Sequence, residues 1–542
     1  QDQISYNDAD PLDGLDNDGD GYTDNYYGWD FGGPSFFAPG DNDPSYVGGG
    51  PGQDHGVLVT GAACARPDNN TGIAGLGYRT KFLPLKGCGD QSLSISFGYE
   101  AIVYGADHDV DILNLSWGSG SFSRYGQDVV NYAAINKRVL LVAAAGNRHQ
   151  EAIVFPASFE NVLSVGATQV GDEIWDKGNG EGTTFNHFID MMAPGVSIMT
   201  TAGNSNYRGG ATGTSMSAPL ACAGAALVMA KNPNLSPIQA GELIRVSTED
   251  ISANNPNYLF EKMGSGQLDV FAAMTANGAK SVRVDSLITR DDENDIIEPF
   301  DTIEVFTRLI NHLDPLQNLS VDMTVDDTSL VEVMLGNMVV GSVPGNSAQV
   351  VPGPLRIYVR KNVLVTTTVT LRFGFTDGNY TDYQYFRLSI QPTSVDLDAN
   401  KLVTSMNGMG NFGFADYPNN RVGKGLLYNA QMNILQDGGF IAGLSQTAVF
   451  DNLSKPNGTR SSGLTPVNRA RRLPPGPQAD LEAIARFSDA SSGQSAIGLE
   501  VSQHCYQFTD AGHDEYILVE YTIHNTNNYP LNNLHSGLGM QY

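Results

Sequence analysis

Positive charge is what this chain is short of: 31 Lys and Arg stand against 59 Asp and Glu, a net charge of −28 over 542 residues. Such a surface repels phosphate, which excludes nucleic acid and anionic membrane as partners. Cysteine is scarce too. Cys64, Cys88, Cys222 and Cys505 are too few and too scattered for a disulfide framework or a zinc site, and only Cys64 with Cys88 is a pair to test as a bridge. No apolar run reaches the roughly 20 residues of a transmembrane helix, so membrane insertion is not expected. No secretory leader opens the chain, which starts at Gln1 rather than Met and stops at Tyr542 inside a strand-like segment. The expectation is a fragment of a longer precursor, monomeric, located outside the cell or on its surface.

What is present is organised around Gly213-Thr214-Ser215-Met216-Ser217-Ala218-Pro219, followed without a break by Leu220-Ala221-Cys222-Ala223-Gly224-Ala225-Ala226-Leu227-Val228-Met229. Glycine and threonine make a turn, a serine sits where a helix begins, and small residues let that helix pack closely. A serine hydroxyl there is presented as a nucleophile, aided by the helix N-terminus; the plainer alternative is a Ser/Thr cap ahead of a core helix. His55-Gly56-Val57-Leu58-Val59-Thr60-Gly61 opens a second small-residue helix after a glycine-rich loop at 32–53. From there to about 275, helices and strands alternate: helix from Ile95 to Ala106, strand from Asp111 to Ser116, helix from Asp128 to Ile135, and a strand from Val139 to Ala144 buried on both faces. That alternation predicts an α/β fold with a doubly wound, mostly parallel sheet, whose ligands sit beyond the carboxyl ends of the strands. Two strands end there at Ser116-Trp117-Gly118 and Ala144-Ala145-Gly146-Asn147.

Near the start, Asp16-Asn17-Asp18-Gly19-Asp20-Gly21-Tyr22-Thr23-Asp24 alternates carboxylates and puts a glycine at the sixth position. Asp16, Asp18, Asp20 and Asp24 are therefore candidate ligands for calcium; the alternative is a solvated acidic turn, and Tyr27 stands where an EF-hand needs glutamate. Past Lys280 the composition turns to half-buried alternating strands such as Thr302 to Thr307, Leu319 to Val325 and Thr366 to Phe373. The division read from this is an α/β domain at 1–278, an immunoglobulin-like β-sandwich at 279–393 and a second all-β domain, also sandwich-like, at 394–542. The loop around Arg469, Arg471, Arg472, Pro474 and Pro475 reads as an exposed turn or, alternatively, a processing site.

Taken together, the glycine–serine turn, His55-Gly56, Asn147, Phe155-Pro156-Ala157, Met192-Ala193-Pro194-Gly195 and Gly264-Ser265-Gly266 stand in the order of the motifs of subtilisin-like serine proteases, which residues 1 to about 276 resemble. Leu58 replaces the second histidine of the family's motif, and the acidic opening Asp291 to Pro299 resembles that of accessory domains behind secreted bacterial proteases. The resemblance implies a serine endopeptidase with Ser215 as nucleophile, His55 as base and Asn147 in the oxyanion hole. It implies further that Ser116, Trp117, Gly118, Ala144, Ala145 and Gly146 bind a peptide or protein substrate, with a cleft for bulky apolar side chains and Arg148 set against basic ones. The family's aspartate ends an apolar strand upstream of the acidic loop, and no such strand precedes Asp16; Asp30 and Asp54 are the nearest substitutes. The aspartate is therefore expected outside this sequence. The alternative is a catalytically dead scaffold whose β-domains serve adhesion or carbohydrate binding.

Overall fold

The computed structural model describes residues 3–541 except 35–37, 49–51, 91, 292–296, 361–362, 364–365, 392–393, 415–416, 418–419, 421–422, 446–447, 456–460, 462, 475, 477, 491 and 493–495. The acidic opening beyond Asp291, residue Pro475 and the boundary residue Thr393 thus lie wholly or partly outside the described residues.

A two-stranded parallel ribbon, β1 (Trp29–Asp30) with β2 (Leu85–Lys86), comes first in the α/β part, flanking helix α1 (His55–Cys64) in the chain. Then follow α2 (Gly98–Asp107), β3 (Ile112–Leu115), α3 (Arg124–Asn131), β4 (Leu140–Ala144), β5 (Val162–Thr168) and β6 (Met191–Pro194). Strands β3 to β6 pair in sequence order, all parallel. Every residue of β4 and β5 is buried. That is what a strand covered by helices on both faces requires, and the apolar 139–144 run supplies it. A hairpin, β7 (Ile198–Ala202) with β8 (Asn206–Ala211), leads into the 18-residue helix α4 (Thr214–Lys231), and α5 (Pro237–Val246) and α6 (Val270–Thr275) follow. Ala218, Ala221, Ala225 and Val228 of α4 pack on Val142, Val165 and Met191 of the sheet, while Ile102, Val130 and Ala133 cover the opposite face.

Behind this core lies an all-antiparallel sandwich. One sheet joins β9 (Val282–Arg290), β10 (Thr302–Asn311), β12 (Val331–Leu335), β14 (Ser347–Val350) and β15 (Leu355–Val359); the other joins β11 (Leu316–Val325), β13 (Asn337–Val343), β16 (Thr367–Asp377) and β17 (Tyr380–Ile390). Alternate residues of β10, β11 and β16 meet in one core around Phe373 and Leu309, as the period of two in the sequence predicts. Beyond it, residues from 394 form an eight-stranded and a four-stranded sheet.

The sandwich is bolted to the α/β domain by charge. Arg245 of α5, almost wholly buried, donates to both carboxylate oxygens of Asp382 at 2.9 and 2.6 Å and to Glu242 at 2.9 Å; Arg283 reaches Glu242 at 3.1 Å and Asp190 at 2.6 Å. Burial pushes the Glu242 carboxyl up, but the two guanidinium groups outweigh it and hold it far below its usual range. Removing one partner of such a set leaves a buried charge uncompensated, which typically costs about 3–5 kcal/mol.

One expectation is corrected at the second all-β domain. Arg469 is not in an exposed turn but in a strand, Thr465–Arg472, and its half-buried guanidinium binds Glu298 at 2.7 Å and also Asp301. The acidic opening of the first sandwich therefore seats that cation.

Candidate active site

Helix α4 is preceded by Gly213, whose φ of 147° places it where side chains are strained; a Cβ there would stand 3.2 Å from the Asn147 amide nitrogen. Only glycine leaves that nitrogen clear. Thr214, fully buried, fixes the neighbourhood: its backbone N–H and its hydroxyl both donate to Asn147 Oδ1, at 2.9 and 2.8 Å, and its hydroxyl accepts the Gly146 N–H at 3.1 Å. With Oδ1 doubly held, the Asn147 amide has one orientation, and its Nδ2 remains a donor facing the start of α4. Ser215 follows, half-buried on the first turn. Its hydroxyl makes no hydrogen bond among the described residues.

His55 heads α1. That helix is locked to α4 by Leu58 and Val59, which pack with Met216 and Ala211, and to β7 by the Thr200 and Thr201 hydroxyls, which donate to the carbonyls of Leu58 at 2.6 Å and Val57 at 2.9 Å. Leu58 is thus a core residue. Burial lowers the pKa of His55, with the Asp54 charge acting the other way. No hydrogen bond joins the His55 ring to Ser215 or to any carboxylate among the described residues.

Both substitute aspartates are committed elsewhere. Asp54 accepts the Gly203 N–H at 3.3 Å and lies 3.6 Å from Arg208. Asp30 accepts the amides of Gly32 and Gly33 at 2.8 and 3.0 Å and pairs with Lys86 at 2.8 Å. Neither makes a hydrogen bond to the imidazole.

Beside His55 opens a cavity of about 2090 Å³. It is walled by Phe82 to Lys86 on one side and Asp111 to Asn114 on the other, with Cys64 of α1 and Cys222 and Ala226 of α4. The carbonyls of Phe82, Pro84 and Lys86 accept the amides of Ser5, Trp29 and Phe31, so all three use one edge of their strand. Backbone groups alternate along a strand, so those of Leu83 and Leu85 face the other edge, toward the cavity. By the same alternation Asp111 bonds Leu140 of β4 and leaves Ile112 and Asn114 facing the cavity from β3. The cavity therefore separates two strand edges without partners among the described residues, where a continuous sheet would have one more strand.

On the substrate side, Trp117 packs edge-on to Tyr99 with ring centroids 5.6 Å apart, and a Cβ on Gly118 would stand 2.8 Å from Val154. Ala144 and Ala145 are buried in the core, so they and Gly146 can wall a cleft only through backbone. Cysteines 64, 88, 222 and 505 are all free thiols, and burial pushes Cys64 up to about 11.

In the acidic loop, carboxylate oxygens of Asp16 and Asp18 come within 4.8 Å of one another and of Asp10. Asp10 escaped the sequence reading because it lies six residues ahead of the alternating run, yet it is fully buried. Asp20 turns instead to His108 at 2.7 Å, and Asp24 accepts the amides of Asp13 and Gly14, both at 2.8 Å. A hydrogen bond from Asn7 helps hold Asp18 below its usual pKa. Three oxygen ligands on one side suit a hard cation; the structure does not bring all four sequence candidates to one point.

Residues 34–266 match the model of the subtilase family. The chain is 33% identical over 249 residues to Subtilisin Savinase of Lederbergia lenta, covering 44% of this chain and 83% of that protein. It is 32% identical over 230 residues to a thermophilic serine proteinase of Bacillus sp. strain AK1, covering 42% and 54%, and 36% identical over 227 residues to a cell wall-associated protease of Bacillus subtilis strain 168, covering 40% and 23%. The chain thus spans about half the length of the second relative and about a quarter of the third.

Proposed function

This chain belongs to the subtilase family, and from that premise we propose that it is a secreted serine endopeptidase acting on protein or peptide substrates outside the cell or at its surface, as a monomer. The observation that carries the reading is the double hold of Thr214 on Asn147 Oδ1 at 2.9 and 2.8 Å beside Ser215. It leaves Asn147 Nδ2 as a fixed donor facing the start of α4, which in this reading is where the oxygen of a carbonyl attacked by Ser215 gains charge, and donors fixed in advance are what lower such a barrier. In this reading the Ser215 hydroxyl attacks the scissile carbonyl, His55 takes its proton and then returns it to the leaving amine, and a carboxylate holds the imidazole in the right tautomer. Backbone at 116–118 and 144–146 pairs with the substrate and walls a cleft suited to bulky apolar side chains.

The carboxylate comes, in this account, from a further parallel strand seated in the cavity between β2 and β3. Support for it is threefold: the two facing strand edges, the His55 ring at the rim, and the commitment of Asp30 and Asp54 elsewhere. Calcium held by Asp10, Asp16 and Asp18 would brace the N-terminal loop by neutralising carboxylates that otherwise repel one another. The test is a fluorophosphonate probe applied to the full-length protein: labelling at Ser215, lost in Ser215→Ala with the melting temperature unchanged, is expected. A full-length protein that neither labels nor cleaves peptide would instead be a dead scaffold, with its activity residing in the β-domains.

A further inference from the structure

Helix α4 carries a proline in its interior, Pro219, four residues after Ser215. In an α-helix the carbonyl of residue i accepts the N–H of residue i+4, and proline has none, while its ring crowds that same carbonyl. The orphan here is the carbonyl of Ser215 itself. The structure gives it a substitute donor: Ser116 Oγ, at the end of β3, donates to Ser215 O at 3.0 Å. Ser116 is itself aimed by Asn114 Nδ2, which donates to Ser116 Oγ at 2.9 Å, and Asn114 Oδ1 in turn accepts from the Cys222 thiol at 3.7 Å, about two helical turns after Ser215 on α4.

We propose that the Ser116 hydroxyl is a positioning residue for the nucleophile, filling the vacancy that Pro219 leaves and fixing the first turn of α4 against β3. The role concerns the side chain and is separate from any pairing of Ser116 backbone with substrate. It rests on the reading of Ser215 as nucleophile. A proline at that position frees the carbonyl, and an external hydroxyl then ties Ser215 to the rigid sheet rather than to its own fraying helix end.

The test is a double-mutant cycle in the full-length protein, read by peptide hydrolysis, by fluorophosphonate labelling and by melting temperature. Ser116→Ala should slow hydrolysis by about 10- to 100-fold, the range between losing one hydrogen bond and misplacing a reacting group. The loss should fall in kcat rather than KM, and Ser116→Thr, which keeps the hydroxyl, should lose less. Pro219→Ala restores a backbone N–H at residue 219, so in that background Ser116→Ala should cost several-fold less in rate and in melting temperature. Equal effects of Ser116→Ala with and without Pro219 would overturn the proposal while leaving the protease reading intact. Absence of labelling at Ser215 in the unmutated protein would overturn both, whereas coupling in melting temperature without coupling in rate would leave the hydrogen bond and remove its role in positioning Ser215.

Discussion

The two halves of the candidate site are built to different degrees of completion. On the α4 side, Thr214 holds Asn147 and Gly146, and Ser116 holds the carbonyl of Ser215. On the α1 side, His55 is held in place through the backbone of Val57 and Leu58, but its ring has no hydrogen-bond partner among the described residues and stands next to a cavity of about 2090 Å³. The contrast teaches where each half gets its order. Ser215 and Asn147, the proposed nucleophile and oxyanion donor, are held by residues of β3, β4 and α4 or directly beside them. His55, the proposed base, stands instead beside the cavity that separates the edges of β2 and β3.

The largest effect expected on the α4 side is from Asn147→Ala, which removes the Nδ2 donor together with the Oδ1 that accepts both Thr214 bonds, leaving only the bond from the Gly146 N–H to the Thr214 hydroxyl. Turnover of the full-length protein should fall about 10²- to 10³-fold, the scale known for one such donor in subtilisin itself rather than a value derived from this structure. A change in KM alone would mean that Asn147 binds substrate and does not stabilise the oxyanion.

How much of this was legible before the structure differs in the same way between the two halves. Gly213, Ser215, His55 and Asn147 could be read because tight turns and strand ends restrict residue type over short spans. Thr214 was visible in the motif but its buried clamp was not, since Asn147 lies 67 residues away in the chain. Asp10 joins Asp16 and Asp18 through a fold of the loop that no spacing rule covers. The bonds of Arg245 to Asp382 and of Arg469 to Glu298 span 137 and 171 residues, and nothing local marks either arginine as a partner. Fold class was easier: a run buried on both faces and strands of period two are local properties that tertiary contacts left unchanged.

A middling effect concerns His55. Burial holds its pKa below the ordinary 6.5 in the chain of residues 1–542. A histidine depressed in this way lends stability that is full above the unfolded value and is lost as pH falls through the folded one. NMR titration of the 1–542 chain should place the ring below 6.5, and Asp54→Asn, which removes the opposing charge, should lower it further. In the full-length protein the added carboxylate should raise it. Titration at the same pH in both forms would mean that no carboxylate joins His55.

The smallest effect is expected from calcium. Binding to the folded form alone stabilises by mass action, about 2.7 kcal/mol at a hundredfold excess over Kd. Chelation should lower the melting temperature of the wild type and lower it less in Asp10→Asn, since Asp10, Asp16 and Asp18 converge. A melting temperature indifferent to chelator would leave the loop as a solvated acidic turn.

The central claim, that one half of the site is complete in this chain and the other awaits a strand, is tested most directly by the rate of fluorophosphonate labelling at Ser215 in the full-length protein and in the chain of residues 1–542. Replacing the triad carboxylate by its amide in a trypsin-like enzyme lowers turnover by about 10⁴-fold. Labelling of the full-length protein is expected, with a rate slower by about that factor in the shorter chain and with Ser215→Ala silent in both. Equal rates in the two would mean that His55 already has its partner within residues 1–542, and the account of the cavity would be wrong.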